Sequence, residues 1–476
     1  MSRHGDSGSG ERGGRGERGG TRKSGGSGGR GEGAGRREST RRTAPAADEP
    51  LADELVADVL GRVRYAADGA AAEDAVEAGA SLLAAAPAGW EAVSAAVVAA
   101  AAAGAAQCWT GGWQPADLER FLRRAADGAT HAELAVDAIA ADAARNPATR
   151  TPRGPRWADQ LRRLGADVWW EADRGYLDAL ARRRRTTRFQ TAYDTLAALR
   201  ALARVPRITP LPSPPAPPAA HARSAAASRA LGRIRGLLAK AEATTFAEEA
   251  EALSAKAQEL MARHSIDEAL LDSAAGSPHG TAGGPSAIRI GIEGPYEQAK
   301  ALLLDAVATA NRCQAVWAAD IGFSTLIGFA PDLEATELLY TSLLLQSTTA
   351  MHRAGDAHAR KKDEAPARKK QDGAPLTRGR SRRTRDFRQT FLVAYADRIR
   401  TRLTTATEAA TTAATTDSPA PDLLPVLAAR ELAVEETTES LFPHTAPVRL
   451  RGIHDPAGWH AGNQAADRAH LGDGTP

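Results

Sequence analysis

Residues 228–267 read Ser228-Arg-Ala-Leu-Gly-Arg-Ile-Arg-Gly-Leu-Leu-Ala-Lys-Ala-Glu-Ala-Thr-Thr-Phe-Ala-Glu-Glu-Ala-Glu-Ala-Leu-Ser-Ala-Lys-Ala-Gln-Glu-Leu-Met-Ala-Arg-His-Ser-Ile-Asp267. Leu231, Ile234, Leu237, Leu238 and Ala241 recur at helical spacing and fall on one face of a helix. Phe246, Ala250, Leu253, Ala257, Leu260 and Met261 form a second such face. Between them, Thr245-x-x-Glu248 is a capping box, in which each side chain satisfies a free backbone N–H at a helix start. Ser265-x-x-Glu268 repeats the pattern and predicts a third, short helix. The stretch 228–272 therefore reads as an antiparallel helical hairpin with polar residues crowded at its turn. This is architecture and not yet chemistry.

The hairpin resembles the bacterial and phage family catalogued as domain of unknown function 2786. The family pattern, K-I-R-x-L-L-A-K-A-E-x-T followed by E-E-A-E-A and K-A-Q-E-L-M, aligns with Arg233 to Met261, with Arg at 233 where Lys is more usual. Residues 287–472 resemble, more weakly, the companion C-terminal domain of unknown function 7168. The resemblance implies a fold and a bacterial or phage source, and it assigns no activity.

A chain of 476 residues has room for two or three domains. Its hydrophobic fraction of 43% is inflated by alanine, while aromatics are only 5%, so the core is expected to be Ala/Leu helix packing. The net charge of +3 is small, but the charge is segregated along the chain. Cys108 and Cys313 stand in unrelated segments without metal-ligand spacing, which argues against a disulfide framework and fits a reducing cytoplasm. No signal-peptide core is visible. The longest apolar run, Ala92 to Ala106, is mostly alanine and reads as a buried helix too short to span a bilayer. No membrane association and no cofactor are expected.

The expected fold is mainly α. Residues 1–45, rich in Gly and Arg, have nothing apolar to bury and read as a disordered tail. Residues 46–206 read as an all-helical domain anchored by Trp90, Trp109, Trp113, Trp157, Trp169 and Trp170, with helices near 51–66, 70–86, 88–106, 115–126, 129–145, 156–182 and 187–204. Residues 207–227, with Pro210 to Pro218, read as a stiff linker. After the hairpin, 287–472 reads as a small α+β domain with a short antiparallel sheet. Its strands are expected at 287–292, 313–317 and 324–329, and again at 423–427 and 447–453. Helices are expected at 296–311, from Pro331 to Arg353, through Phe387 to Leu403, and at 428–440 and 458–470. A charged, low-complexity insertion at 355–383 reads as disordered.

Glycine motifs such as Gly8-Ser-Gly10-Glu-Arg-Gly13 mimic a dinucleotide fingerprint, but they follow no strand and open no helix. His454, His460 and His470 lie near Asp455 and Asp467 at no known ligand spacing, so no metal is expected. The hairpin turn gathers Lys240, Glu242, Thr245, Glu248 and Glu249, which caps and surface ion pairs explain. A rival reading makes that turn an active site built on Glu242, Glu249 and His264. Lys256, Glu259 and His264 read as a face turned toward the C-terminal domain.

Basic segments carry the remaining signal. Residues 1–45 hold 11 Arg/Lys against 5 Asp/Glu, and 351–390 hold 13 against 5. The second segment contains Arg360, Lys361, Lys362, Arg368, Lys369, Lys370, Arg382, Arg383 and Arg385, and Arg182, Arg183, Arg184 and Arg185 form a third cluster. Such runs can follow a phosphate backbone by releasing counterions, without reading sequence. The leading expectation is a non-catalytic protein whose partner is nucleic acid or a nucleic-acid-bound protein. The alternatives are an enzyme with its site between the hairpin turn and the C-terminal domain, and a protein-binding scaffold.

Overall fold

The computed structural model describes residues 48–125, 128–146, 155–212, 221–243, most of 256–269, 284–363, 376–417, 423–446 and 455–469. The chain divides into two compact units, Met1–Ala46 and Ala47–Pro476, and every described residue belongs to the second. The expected disorder of 1–45 lies outside the described residues. The fold is mainly helical, with one three-stranded antiparallel sheet.

The N-terminal helices are α1 (Asp48–Tyr65), α2 (Ala70–Ala84), α3 (Trp90–Thr110), α4 (Pro115–Arg123), α5 (Gly128–Arg145), α6 (Pro155–Leu164), α7 (Tyr176–Arg184) and α8 (Arg188–Ala203). The single helix expected at 156–182 is two. Gly165, at φ 62°, takes the left-handed conformation that ends α6, and a short 3₁₀ turn at Asp173–Gly175 precedes α7. Trp169 and Trp170 occupy the corner so made. Their indole N–H groups donate to Asp137 Oδ1 and Asp173 Oδ1 at 2.7 and 2.8 Å, and their rings meet edge to face at 5.6 Å. The Ala-rich α3 is 21 residues long and so is long and apolar enough to cross a bilayer, contrary to the sequence expectation. Half of its most apolar window is buried in the protein, where Val93, Val97 and Ala105 join the core.

Residues 205–212 form neither helix nor strand, and they are docked rather than free, as a linker would be. Ile208 N–H donates to Gly111 O at 2.9 Å, and Trp113 Nε1 donates to Pro206 O at 2.6 Å. Residues 213–220 lie outside the described residues. The next helix, α9 (His221–Ala243), starts ahead of Ser228. Its predicted apolar face is buried at Leu231, Ile234 and Leu238. Every described residue of 256–269 is helical, here called α10, and Ala257 and Met261 are buried. Ser265 lies inside this helical stretch rather than outside it as an N-cap would.

Three strands follow the expected pattern: β1 (Ser286–Gly291), β2 (Gln314–Ala318) and β3 (Phe323–Gly328), in the order β1-β3-β2, with Ile288 opposite Leu326 and Ala315 opposite Leu326. The remaining helices are α11 (Glu297–Ala310), α12 (Ala330–Asp363), α13 (Leu376–Asp417), α14 (Leu423–Leu441) and α15 (Pro456–Asp467). Two expectations fail here. Helices α12 and α13 run into the segment 355–383 from both sides, and only 364–375 lie outside the described residues. Ala, Arg and Lys are good helix formers, so a charged stretch continues a helix without an apolar face. Residues 423–427 start α14 rather than form a strand, because Pro425 is tolerated in a first helical turn. The strand expected at 447–453 lies outside the described residues.

Helix α15 packs on α13 through Gly458 and Gly462, one turn apart. A Cβ on either would come within 2.5 and 2.3 Å of the carbonyl oxygens of Phe387 and Phe391. The helical domain meets the sheet at Arg289 of β1. Its side chain, 2% exposed, pairs with Asp117 of α4 at 3.0 Å. It also donates to Gly112 O at 2.9 Å and Thr209 O at 2.6 Å, and it stacks 5.1 Å from the centre of the Phe323 ring. Around this centre, Arg120 reaches Glu293 at 2.7 Å, Arg124 grips Glu297 with two bonds of 2.8 and 3.1 Å, and Arg156 reaches Glu337 at 2.7 Å.

Two stability outcomes are expected in urea unfolding. Arg289→Ala leaves Asp117 buried without its partner and should cost about 3–5 kcal/mol, while Arg289→Ala with Asp117→Ala should cost clearly less than the sum of the single changes. Ile234→Ala should cost about 2–5 kcal/mol by leaving a cavity, and exposed Arg235→Ala should stay within about 0.5 kcal/mol of wild type.

Candidate functional site

The basic residues singled out by sequence fall into two structurally different groups. Arg182 to Arg185 end α7. There Arg183 lies over the Trp169 ring at 4.6 Å, and Arg184 donates to Thr130 Oγ1 at 3.0 Å. Arg185 takes the left-handed conformation that closes the helix, at φ 56°. Arg182, Arg183 and Arg185 are exposed and Arg184 is half-buried, so the two arginines with contacts to the fold are one exposed and one partly covered.

The second group sits where α12 ends and α13 begins. His358 stacks on Phe387 at 4.8 Å, and Gly355 lies beside Arg388. The pairing of later α12 residues with earlier α13 residues makes the two helices antiparallel. Arg360 and Arg385, both exposed, therefore share one end of the helix pair. Lys361 and Lys362 continue α12, and Arg382 and Arg383 belong to α13. Arg368, Lys369 and Lys370 lie outside the described residues.

Of the hairpin-turn group, Lys240 is exposed on α9 and Glu242 belongs to that helix, whereas Thr245, Glu248 and Glu249 lie outside the described residues. The Lys256–Glu259 face is solvated. Lys256 Nζ bonds Glu259 at 2.7 and 2.9 Å, and both side chains are about half exposed. The expected turn of this face toward the C-terminal domain applies only to the next part of α10, His264 and Ser265.

That part meets a polar cluster the sequence did not reveal. Asp332, in the first turn of α12, is buried and hydrogen-bonded by Ser265, with Arg430, Arg312 and His264 close enough to act on its charge. Burial pushes the Asp332 carboxyl above the usual carboxylate range, and Ser265, Arg430 and Arg312 pull it back. Arg430 also donates to Ser265 O at 3.3 Å and covers the Phe329 ring at 4.1 Å. Arg312 holds a left-handed backbone at φ 56°, and its guanidinium reaches Ser265 Oγ at 3.4 Å and Thr411 Oγ1 at 3.3 Å. Beside it, burial and the Asp332 charge drive the Cys313 thiol far above its ordinary range. A thiol so held stays protonated and is a poor nucleophile. Burial likewise pushes the Cys108 thiol up to about 12. The cluster can anchor α10 on the C-terminal domain. Its one signal in the sequence is Asp332 in a helix first turn, which reads as an ordinary dipole partner.

At the C-terminal end, Asp455 caps α15 by accepting from Ala457 N and Gly458 N, Asp467 pairs with Arg398, and His460 bonds Gln464 at 2.8 Å. His454 and His470 lie outside the described residues. Among the described residues, no group of three His, Cys, Asp or Glu side chains could hold a metal ion.

Residues 229–268 match the family model described as "Protein of unknown function (DUF2786)", which spans α9 and α10. No curated protein and no solved structure matches the chain.

The Asp332 cluster has a pH signature. A carboxyl with a raised folded-state pKa binds more protons folded than unfolded, so its contribution to stability falls as pH rises above about 4. The unfolding free energy of wild type minus that of Asp332→Asn should therefore decrease from pH 4 toward neutrality. A difference that grows with pH would overturn this assignment.

Proposed function

We propose that this protein associates with nucleic acid, without reading its sequence, through the paired basic ends of α12 and α13. The reading rests on one observation: the antiparallel packing puts exposed Arg360 and Arg385 at the same end, with Lys361, Lys362, Arg382 and Arg383 on the adjoining helical turns. A helical pair presents cations at fixed spacing, which suits a phosphate backbone better than a loose loop does. Helix dipoles add weight. The first turn of α13 carries no acid, and Arg378, Arg380, Arg382 and Arg383 follow within two turns, at the positive end of the dipole. Cations there cost helix stability, and an anionic partner relieves that cost.

In this reading the protein is non-catalytic and acts in the cytoplasm, its partner being nucleic acid or a nucleic-acid-bound protein. Residues 287–472 form the companion 7168 domain, and the hairpin is its docking element. Arg182 to Arg185 take little part, because Arg183 and Arg184 are already engaged.

Filter binding to random-sequence duplex DNA and RNA at two salt concentrations tests the proposal. Replacing Arg360, Lys361, Lys362, Arg382, Arg383 and Arg385 with Gln should weaken binding to all sequences alike. It should flatten the slope of log K against log salt by about 0.9 for each phosphate that is no longer neutralised. Circular dichroism should change little. Absence of wild-type binding at low salt, or an unchanged slope in the variant, would remove the proposal.

A further inference from the structure

Helices α12, α13 and α15 enclose an open cavity of about 620 Å³. Its walls are mostly apolar, with Leu345 and Ala350 from α12, Phe391 from α13 and Ala461 and Ala465 from α15. Leu345 is 57% exposed, so the apolar wall reaches the surface at the mouth. Two exposed guanidinium side chains also line it, Arg353 of α12 and Arg468 just past α15. In the depth stands Tyr395, 1% exposed, whose hydroxyl has no hydrogen-bond partner among the described residues.

Each feature has a chemical meaning. A buried hydroxyl without a partner is costly, so a native protein supplies that partner in some form. A cavity of this size between helices, apolar in its body and with few polar groups, has the form of a small-molecule site. Two cations at the mouth select an anionic head over a neutral one. The volume, and the restriction of charge to two residues of a mostly apolar lining, favour an elongated ligand, apolar along its length and charged at one end.

We infer that this cavity binds an amphipathic monocarboxylate of the fatty-acid kind. Its carboxylate meets Arg353 and Arg468, its chain lies along Leu345, Phe391 and Ala465, and the Tyr395 hydroxyl in the depth donates to a water that the bound chain traps. Gly458 and Gly462 bring α15 directly onto the backbone of α13, which fixes these two walls against each other. The site is separate from the basic helix ends proposed to meet nucleic acid, and it stands or falls independently of that proposal.

The test titrates the full chain with cis-parinaric acid, a fluorescent fatty acid, followed by displacement with dodecanoate and, separately, dodecanol. Wild type should show saturable binding with one ligand per chain, and dodecanoate should displace it at least ten-fold better than dodecanol does. Arg353→Gln with Arg468→Gln should remove that preference; both side chains are exposed, so the fold should be unaffected. Tyr395→Phe should weaken binding several-fold while leaving thermal stability equal or raised, because the hydroxyl it removes had no partner. Ala465→Trp should abolish binding by filling the space. Non-saturable binding, equal displacement by the alcohol, or unchanged binding in Ala465→Trp would each overturn the inference. So would a Tyr395→Phe protein that binds as wild type does, since the hydroxyl and its trapped water would then play no part in holding the ligand.

Discussion

The arrangement of this molecule depends on the burial of one guanidinium. Arg289 sits on the first strand of the sheet, yet its partners are Asp117, the carbonyl of Gly112 and the carbonyl of Thr209. These belong to α4, to the turn before it, and to the segment 205–212. A charge taken out of water must find full compensation, because an unpaired one costs several kcal/mol. Three separate segments must therefore arrive together before Arg289 can be buried at all. The Phe323 ring beneath it comes from a neighbouring strand and also touches Trp113 edge to face, at 6.1 Å. The helical part and the sheet are joined by chemistry that leaves little freedom of register. The surrounding pairs of Arg120 and Arg124 with Glu293 and Glu297 are more exposed and worth less individually. They lie over Gly291 and Gly322, where any Cβ would strike a guanidinium.

What was legible in the sequence follows the strength of its periodic signals. The apolar faces of the hairpin at Leu231, Ile234, Leu238, Ala257 and Met261 are buried as their spacing requires. The alternation Ile288-x-Ile290 likewise marks a real strand, β1. That alternation concealed Arg289, because a charged residue between two apolar ones reads as solvent-facing. Periodicity cannot see a second layer packed on the other face of a strand. The same blindness applies to the Asp332 cluster, whose members come from α10, the turn after α11, the start of α12 and the middle of α14. A cluster assembled from four places has no local pattern. Low complexity misled in the opposite direction: 355–363 and 376–383 lack an apolar face and yet are helical, being extensions of helices whose stability is set by the core they leave.

The Asp332 cluster also explains why the family match and the C-terminal fold come as one body here. The matched residues 229–268 end on His264 and Ser265, the point where α10 touches Asp332 and Arg430. Leu231 and Ile234 complete the same core as Leu304 and Phe391. A two-helix unit has too little surface to bury a core of its own. Helices α9 and α10 thus acquire their stability from the C-terminal helices, and the buried polar contacts set the position of α10 where apolar packing alone would tolerate sliding.

Helix α13 shows how one element can serve these different ends. At 42 residues it is about 60 Å long, more than the core can cover. Its middle turns carry Phe391, Tyr395, Ile399 and Leu403, all fully buried or nearly so, and these hold α11, α12 and α15. Its C-terminal turns are threonine-rich, and Thr405, Thr412 and Thr416 each return a hydroxyl to the carbonyl four residues back, which satisfies the side chain within the helix. Its N-terminal turns are arginine-rich and precede Phe387, the first buried position among the residues whose side chains are described. Only the helix propensity of arginine favours that end: the dipole opposes its charge, and its sequence carries no apolar stripe. What keeps it ordered is continuity with the buried middle and the stacking of His358 on Phe387. Cations set against the dipole at a helix start are the physical reason to seek compensating charge in a partner.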